Sequence, residues 1–133
     1  RTMKKLFAKK MVKATAGFPS PAENYVEEDL NLNKYLIKNT EATFFIRVSG
    51  NSMINIGIFD NDILIVDRAG NPKNHSVVVA SLDGELVIKR LSKNKSGRYI
   101  LKSENPDYPD IKLQSDNDTV IWGVATYVIH KIR

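Results

Sequence analysis

A chain of 133 residues has room for one domain with its own core, and the absence of Cys excludes disulfides, thiolate catalysis and Cys-based zinc sites. No apolar run approaches the roughly 18 residues of a membrane-spanning helix. The formal charge of +5 is unevenly spread: Arg1, Lys4, Lys5, Lys9, Lys10 and Lys13 stand in the first 16 residues with no acid, whereas residues 17–133 hold 14 basic and 15 acidic side chains. A solvated basic tail fits this better than a nucleic-acid footprint, because the body carries no basic stripe interleaved with aromatics.

In chain order, Met3, Phe7, Met11 and Ala14 fall at helical spacing and predict a weak amphipathic turn or two. The "ATA" before Gly17 has the small-x-small form of a signal-peptide cleavage site, but Lys9, Lys10 and Lys13 interrupt the apolar stretch that a signal peptide needs. Across "KATAGFPSPAEN" (13–24), tiny side chains precede Phe18 and two prolines that forbid a helix running through. The result is an extended segment that is easily gripped. Ser20-Pro21-Ala22-Glu23 then reads as a helix start, with Ser as N-cap, Pro at the first position and Glu reaching back. Ala22, Tyr25, Val26 and Leu30 share a side of that helix. Asn31 is expected to cap a second short helix with Leu32, Tyr35 and Leu36 turned inward.

From residue 43 the pattern becomes β. Six runs of β-branched and aromatic residues, at 43–48, 63–67, 77–82, 85–91, 98–103 and 119–129, are separated by turn residues such as Ser49-Gly50, Asn71-Pro72 and Asn105-Pro106. Asp83-Gly84 between two apolar runs is the strongest hairpin signal. The fold class implied is a mainly β domain led in by one or two short helices.

Two features carry candidate chemistry. In "FIRVSGNSMIN" (45–55) a strand runs into Ser49-Gly50, and Gly50 can take torsions that lift Ser52 out of the strand. The backbone N–H groups of Asn51 and Ser52 are then candidates to stabilise a tetrahedral oxyanion. On spacing alone, Ser52 reads first as an ordinary turn serine. The second feature is "GELVIKRLS" (84–92), where alternation puts Lys89 on a face with Val87 and Leu91, and Arg90 on a face with Leu86 and Ile88. Both faces are rather apolar, so alternation leaves open which cation is buried. The distinction matters chemically. An exposed Lys of pKa ~10.4 is only about 0.04% neutral at pH 7, and burial raises that fraction. A neutral amine can take a serine proton, whereas a guanidinium does not deprotonate. His75 and His130 stand in no recognisable triad motif, and neither metal-ligand spacing nor a Gly-rich phosphate loop is present.

The segments "AGFPSPAENYVEEDLNLNKYLI", "FIRVSGNSMINIGIFDNDILIVD", "VVVASLDGELVIKRL", "SENPDYPDI" and "IWGVATYVIHKI", in this order and spacing, resemble the LexA/UmuD family of self-cleaving serine peptidases over nearly the whole chain from Ala16. The resemblance implies a fold of several coiled antiparallel sheets, like that of signal peptidases, with short N-terminal helices. It implies a Ser-Lys dyad with Ser52 as nucleophile and Lys89 as general base, needing no cofactor and no metal. The scissile bond falls on Ala16-Gly17, so that residues 1–16 are an arm removed by self-cleavage and 17–133 are the peptidase domain. Small side chains at Ala14 and Ala16 then suit a narrow cleft. Members act in the cytoplasm as homodimers in the bacterial SOS response to DNA damage, cleaving themselves on a RecA–single-stranded DNA filament. The trimmed form serves a UmuC-type translesion DNA polymerase. Neither sequence-specific DNA binding nor a membrane is expected, since only 16 residues precede Gly17, too few for a helix-turn-helix domain. The alternative is the C-terminal half of a LexA-like or phage repressor separated from such a domain. Asn51 and Asn61 depart from the Asp and Gly common in relatives; Asn tolerates left-handed torsions, so the turn at 60–62 is expected to survive.

Overall fold

Short β-branched runs punctuated by turn residues gain little as isolated strands and are stable only when paired and packed. The computed structural model describes residues 8–14, 16–17, 26–113 and 119–132. It divides into two compact units, Arg1–Lys38 and Asn39–Arg133.

In the N-terminal unit, β1 (Ala8–Val12) pairs antiparallel with β2 (Val26–Asn31), and a five-residue helix α1 (Leu32–Leu36) follows. The helical turn expected over 3–14 is therefore a strand over its described part. The helix expected from Ser20 is β2 from Val26 onward, while its start at 20–25 lies outside the described residues. Helices this short are marginal in water, and cross-strand pairing, Lys9 opposite Leu30 and Lys10 opposite Asp29, satisfies the same backbone groups. The Lys10 amine lies 3.8 Å from the Asp29 carboxylate. Asn31 caps α1 as expected, accepting from the N–H groups of Asn33 at 3.1 Å and Lys34 at 3.4 Å. Leu32 and Tyr35, expected inward, are instead more than half exposed and only Leu36 is half-buried. A helix of under two turns has one side to bury, and here it is the side of Leu36.

The second unit is a seven-stranded antiparallel sheet in the order β3-β4-β9-β5-β6-β7-β8. Its strands are β3 (Thr43–Arg47), β4 (Ile63–Asp67), β5 (Val77–Leu82), β6 (Glu85–Lys93), β7 (Tyr99–Lys102), β8 (Ile111–Lys112) and β9 (Thr119–Ile129). All six expected runs are strands; β8, too short to show a period, is the addition. At the β5–β6 hairpin, Asp83 (φ 51°) and Gly84 (φ 85°) are both left-handed, the geometry for which Asp-Gly is favoured. Asn61 adopts φ 77°, so the turn at 60–62 survives its substitution.

The central strand β5 explains where the core sits. Val78, Val79 and Ala80 are fully buried, because alternate side chains enter opposite faces and both are covered. Val79 packs with Val48, Met53, Ile58, Leu64 and Val66 on one face. Val78 and Ala80 pack with Leu91 and Leu101 on the other. Each of the Val, Leu, Ile and Met side chains among these stabilises the fold by about 1.5–3 kcal/mol. The register against β9 shifts between Ile65 and Val66 of β4 and between Val79 and Ala80 of β5, as it does at bulges.

Candidate active site

Beyond β3 the ladder continues for one residue, with the Val48 N–H donating to Asp62 O and the Asn61 N–H donating to Val48 O, both at 2.8 Å. The chain then leaves the sheet at Gly50, whose φ of +94° disfavours any side chain and whose N–H is held by Asp60 Oδ1 at 2.7 Å. This bend delivers Ser52, half-buried, on a turn anchored from behind by the buried Met53 and a 3-10 turn over Ile54–Ile56.

Two contacts from another loop fix the turn's inner side. Glu104 N–H donates to Ser52 O at 2.8 Å, and Asn105 Nδ2 donates to Asn51 O at 2.8 Å. The carbonyls of Asn51 and Ser52 are thereby occupied. Among the described residues, the N–H groups of these two donate to no other protein group.

Lys89 lies on β6 opposite Val78. The question left open by alternation has a clear outcome: Lys89 is 7% exposed, whereas the Arg90 side chain keeps 27% and pairs with Glu104 at 3.0 Å. Burial pushes the Lys89 amine below the ordinary lysine range, and the Asp110 carboxylate partly opposes this. Its Nζ donates to Ser103 Oγ at 2.5 Å and sits 5.9 Å from the Tyr108 ring centroid.

Ser52 and Lys89 line one cavity of about 480 Å³, walled by Ile46, Val48, Met53, Val79 and Val87, with Tyr108 at its side. Apolar side chains make up most of the wall around the two polar residues. The structure thus places Ser52 and Lys89 on one cavity, with Asn51 next to Ser52 in the chain but outside the cavity lining. Ala16 and Gly17 belong to the other unit, where both are exposed, as is Ala14. His75 is exposed on a loop, and His130 bonds the buried Asp62 at 2.7 Å, so neither histidine lines this cavity. Sequence reasoning passes over Ser103 and Asn105, seeing only a turn before Pro106. Polar residues at the end of a strand, able to bond back to neighbouring loops, are the signal that would have found them.

Residues 9–126 match the Peptidase S24-like family, and the chain belongs to it. It is 42% identical over 118 residues to Protein ImpA of Salmonella typhimurium, covering 89% of this chain and 79% of that protein. Protein MucA of Escherichia coli is 43% identical over 114 residues, 85% of this chain and 77% of that protein. The LexA repressor of Pseudomonas chlororaphis is 36% identical over 120 residues, 90% of this chain but 58% of the repressor. The chain is a UmuD-like self-cleaving serine peptidase of SOS mutagenesis. Among the described residues, no helix is long and apolar enough to cross a membrane.

Proposed function

We propose that Ser52 and Lys89 are the catalytic pair, and that the bond they cut is Ala16-Gly17, releasing residues 1–16 from the peptidase domain at 17–133. The observation that carries this reading is the shared cavity, which is lined by both Ser52 and Lys89, the latter a buried amine of lowered proton affinity. Ser52 Oγ attacks the Ala16 carbonyl carbon while Lys89 takes the hydroxyl proton. The unengaged N–H groups of Asn51 and Ser52 stabilise the oxyanion. Lys89 then passes its proton to the Gly17 nitrogen as the peptide C–N bond breaks. Water hydrolyses the resulting Ala16 ester of Ser52, with Lys89 accepting the water's proton and returning it to Ser52 Oγ as the ester C–O bond breaks. In this reading the protein is a cytoplasmic homodimer stimulated by a RecA–single-stranded DNA filament, and the trimmed form serves a UmuC-type translesion polymerase. Similarity to ImpA and MucA supports that setting.

The base must be neutral to work. Self-cleavage of the isolated protein is therefore slow near neutrality and rises with pH through the Lys89 titration, which burial places below the ordinary lysine range. Mass spectrometry of the full chain incubated at increasing pH, up to about the lysine value of 10.4, is expected to show a fragment beginning at Gly17. Ser52→Ala and Lys89→Ala should each lower the rate at least ~100-fold. Robust cleavage by either variant rules out this pair.

A further inference from the structure

The Lys89 amine is bonded to a residue that lies outside the proposed catalytic pair, and that residue opens a segment that also holds the Ser52 turn. Immediately after β7, Ser103 Oγ accepts from Lys89 Nζ at 2.5 Å. The next residue, Glu104, donates its N–H to Ser52 O at 2.8 Å and accepts from the Asn55 N–H at 2.9 Å. Its carboxylate pairs with Arg90, the neighbour of Lys89. The third, Asn105, is 8% exposed and donates to Asn51 O. Three consecutive residues thus touch both halves of the pair, although Ser52 and Lys89 stand on separate elements 37 positions apart.

We propose that Ser103 is a positioning residue: its hydroxyl holds the Lys89 amine in the register that the Glu104 and Asn105 contacts set for the Ser52 turn. The inference rests on the reading of Lys89 as general base. Ser103 Oγ–H points to Pro109 O at 3.4 Å, so the lone pair facing Lys89 accepts. A flexible four-carbon side chain without such a partner samples several rotamers, of which few present the nitrogen lone pair to Ser52. The accepting oxygen also favours the charged amine, as a charge-assisted bond does. The other groups to weigh are Asp110 and Tyr108 from the following loop, the Arg90–Glu104 pair, Lys102 on β7, and Arg47 on β3 at the cavity wall. On the other side β5, with Val78 opposite Lys89, carries no titratable side chain.

Two measurements on the full chain test this. In the first, the rate of self-cleavage is followed against pH for the wild type, Ser103→Ala, Ser103→Val and Ser103→Thr. Loss of the acceptor should lower the alkaline plateau about 10- to 100-fold and move the midpoint to lower pH, with Val, which has no acceptor and adds no titrating group, behaving like Ala and Thr restoring both. In the second, Lys89 is titrated directly by carbon-13 NMR of labelled lysine in the Ser52→Ala background, with and without Ser103→Ala. The same acid shift is expected there, whether or not cleavage can be measured. A Lys89 midpoint unmoved by removal of the hydroxyl, or Ala and Val profiles that superimpose on the wild type, overturns the role of Ser103. Cleavage by Lys89→Ala would instead overturn the base assignment on which it rests.

Discussion

The two units are held together on different scales. In the N-terminal unit the described residues form one strand pair and a helix of five residues, and from residue 29 to residue 38 every side chain is half-buried or exposed. In the sheet unit β5 alone contributes three consecutive residues with no exposed surface. A lone two-stranded ribbon is marginal in water, whereas a seven-stranded sheet whose central strand is buried on both faces resists local opening. The contrast suits a protein that is its own substrate. The segment to be cut must be exposed and extended, while the groups that cut must stay in register.

This contrast can be broken or sharpened by substitution. The largest effect is expected in the sheet core: Leu64→Ala, at a site 1% exposed, should destabilise the unit by about 2–5 kcal/mol in chemical denaturation. A loss below about 1 kcal/mol would show that the core on this face is loosely packed. An intermediate effect is expected at Asp62, 4% exposed. Burial works to raise its pKa, but the Phe59 N–H at 2.8 Å and His130 outweigh that and hold it below the ordinary value. A lowered folded pKa means that stability is present above the unfolded value, about 3.9, and is lost as pH falls through the folded one. Thermal melting of the wild type should therefore decline on acidification over that window, and Asp62→Asn should flatten the slope while lowering stability at neutral pH. Equal slopes would remove Asp62 from the account. The smallest effect is expected in the N-terminal unit, where Lys10→Ala breaks an ion pair with both side chains largely exposed. Less than about 1 kcal/mol should be lost, and salt should not enlarge the difference.

The legibility of the site follows the same division. The bend at Gly50 is readable because a left-handed turn at the end of a strand requires a particular residue type, whereas a role for Ser52 is implied only by the family resemblance. Asp83-Gly84 and Asn61 are readable for the same reason. Ser103 and Asn105 are not, since each works through a partner distant in sequence: Lys89 for one and Asn51 for the other. Over their described residues, the short helices expected before residue 31 give way to strands on similar grounds. Spacing among a few apolar residues favoured helix, but a second segment supplied a strand partner.

By itself the sequence determined the strands of the sheet, the turns between them and the residue types able to do serine chemistry, because sterics and side-chain chemistry act within a few residues. Only the tertiary structure decided that Lys89 rather than Arg90 is buried, that 8–12 pairs with 26–31, and that one polar segment holds both halves of the proposed pair. Desolvation and hydrogen bonding across the sheet depend on which surfaces meet, and that is a property of the assembled fold.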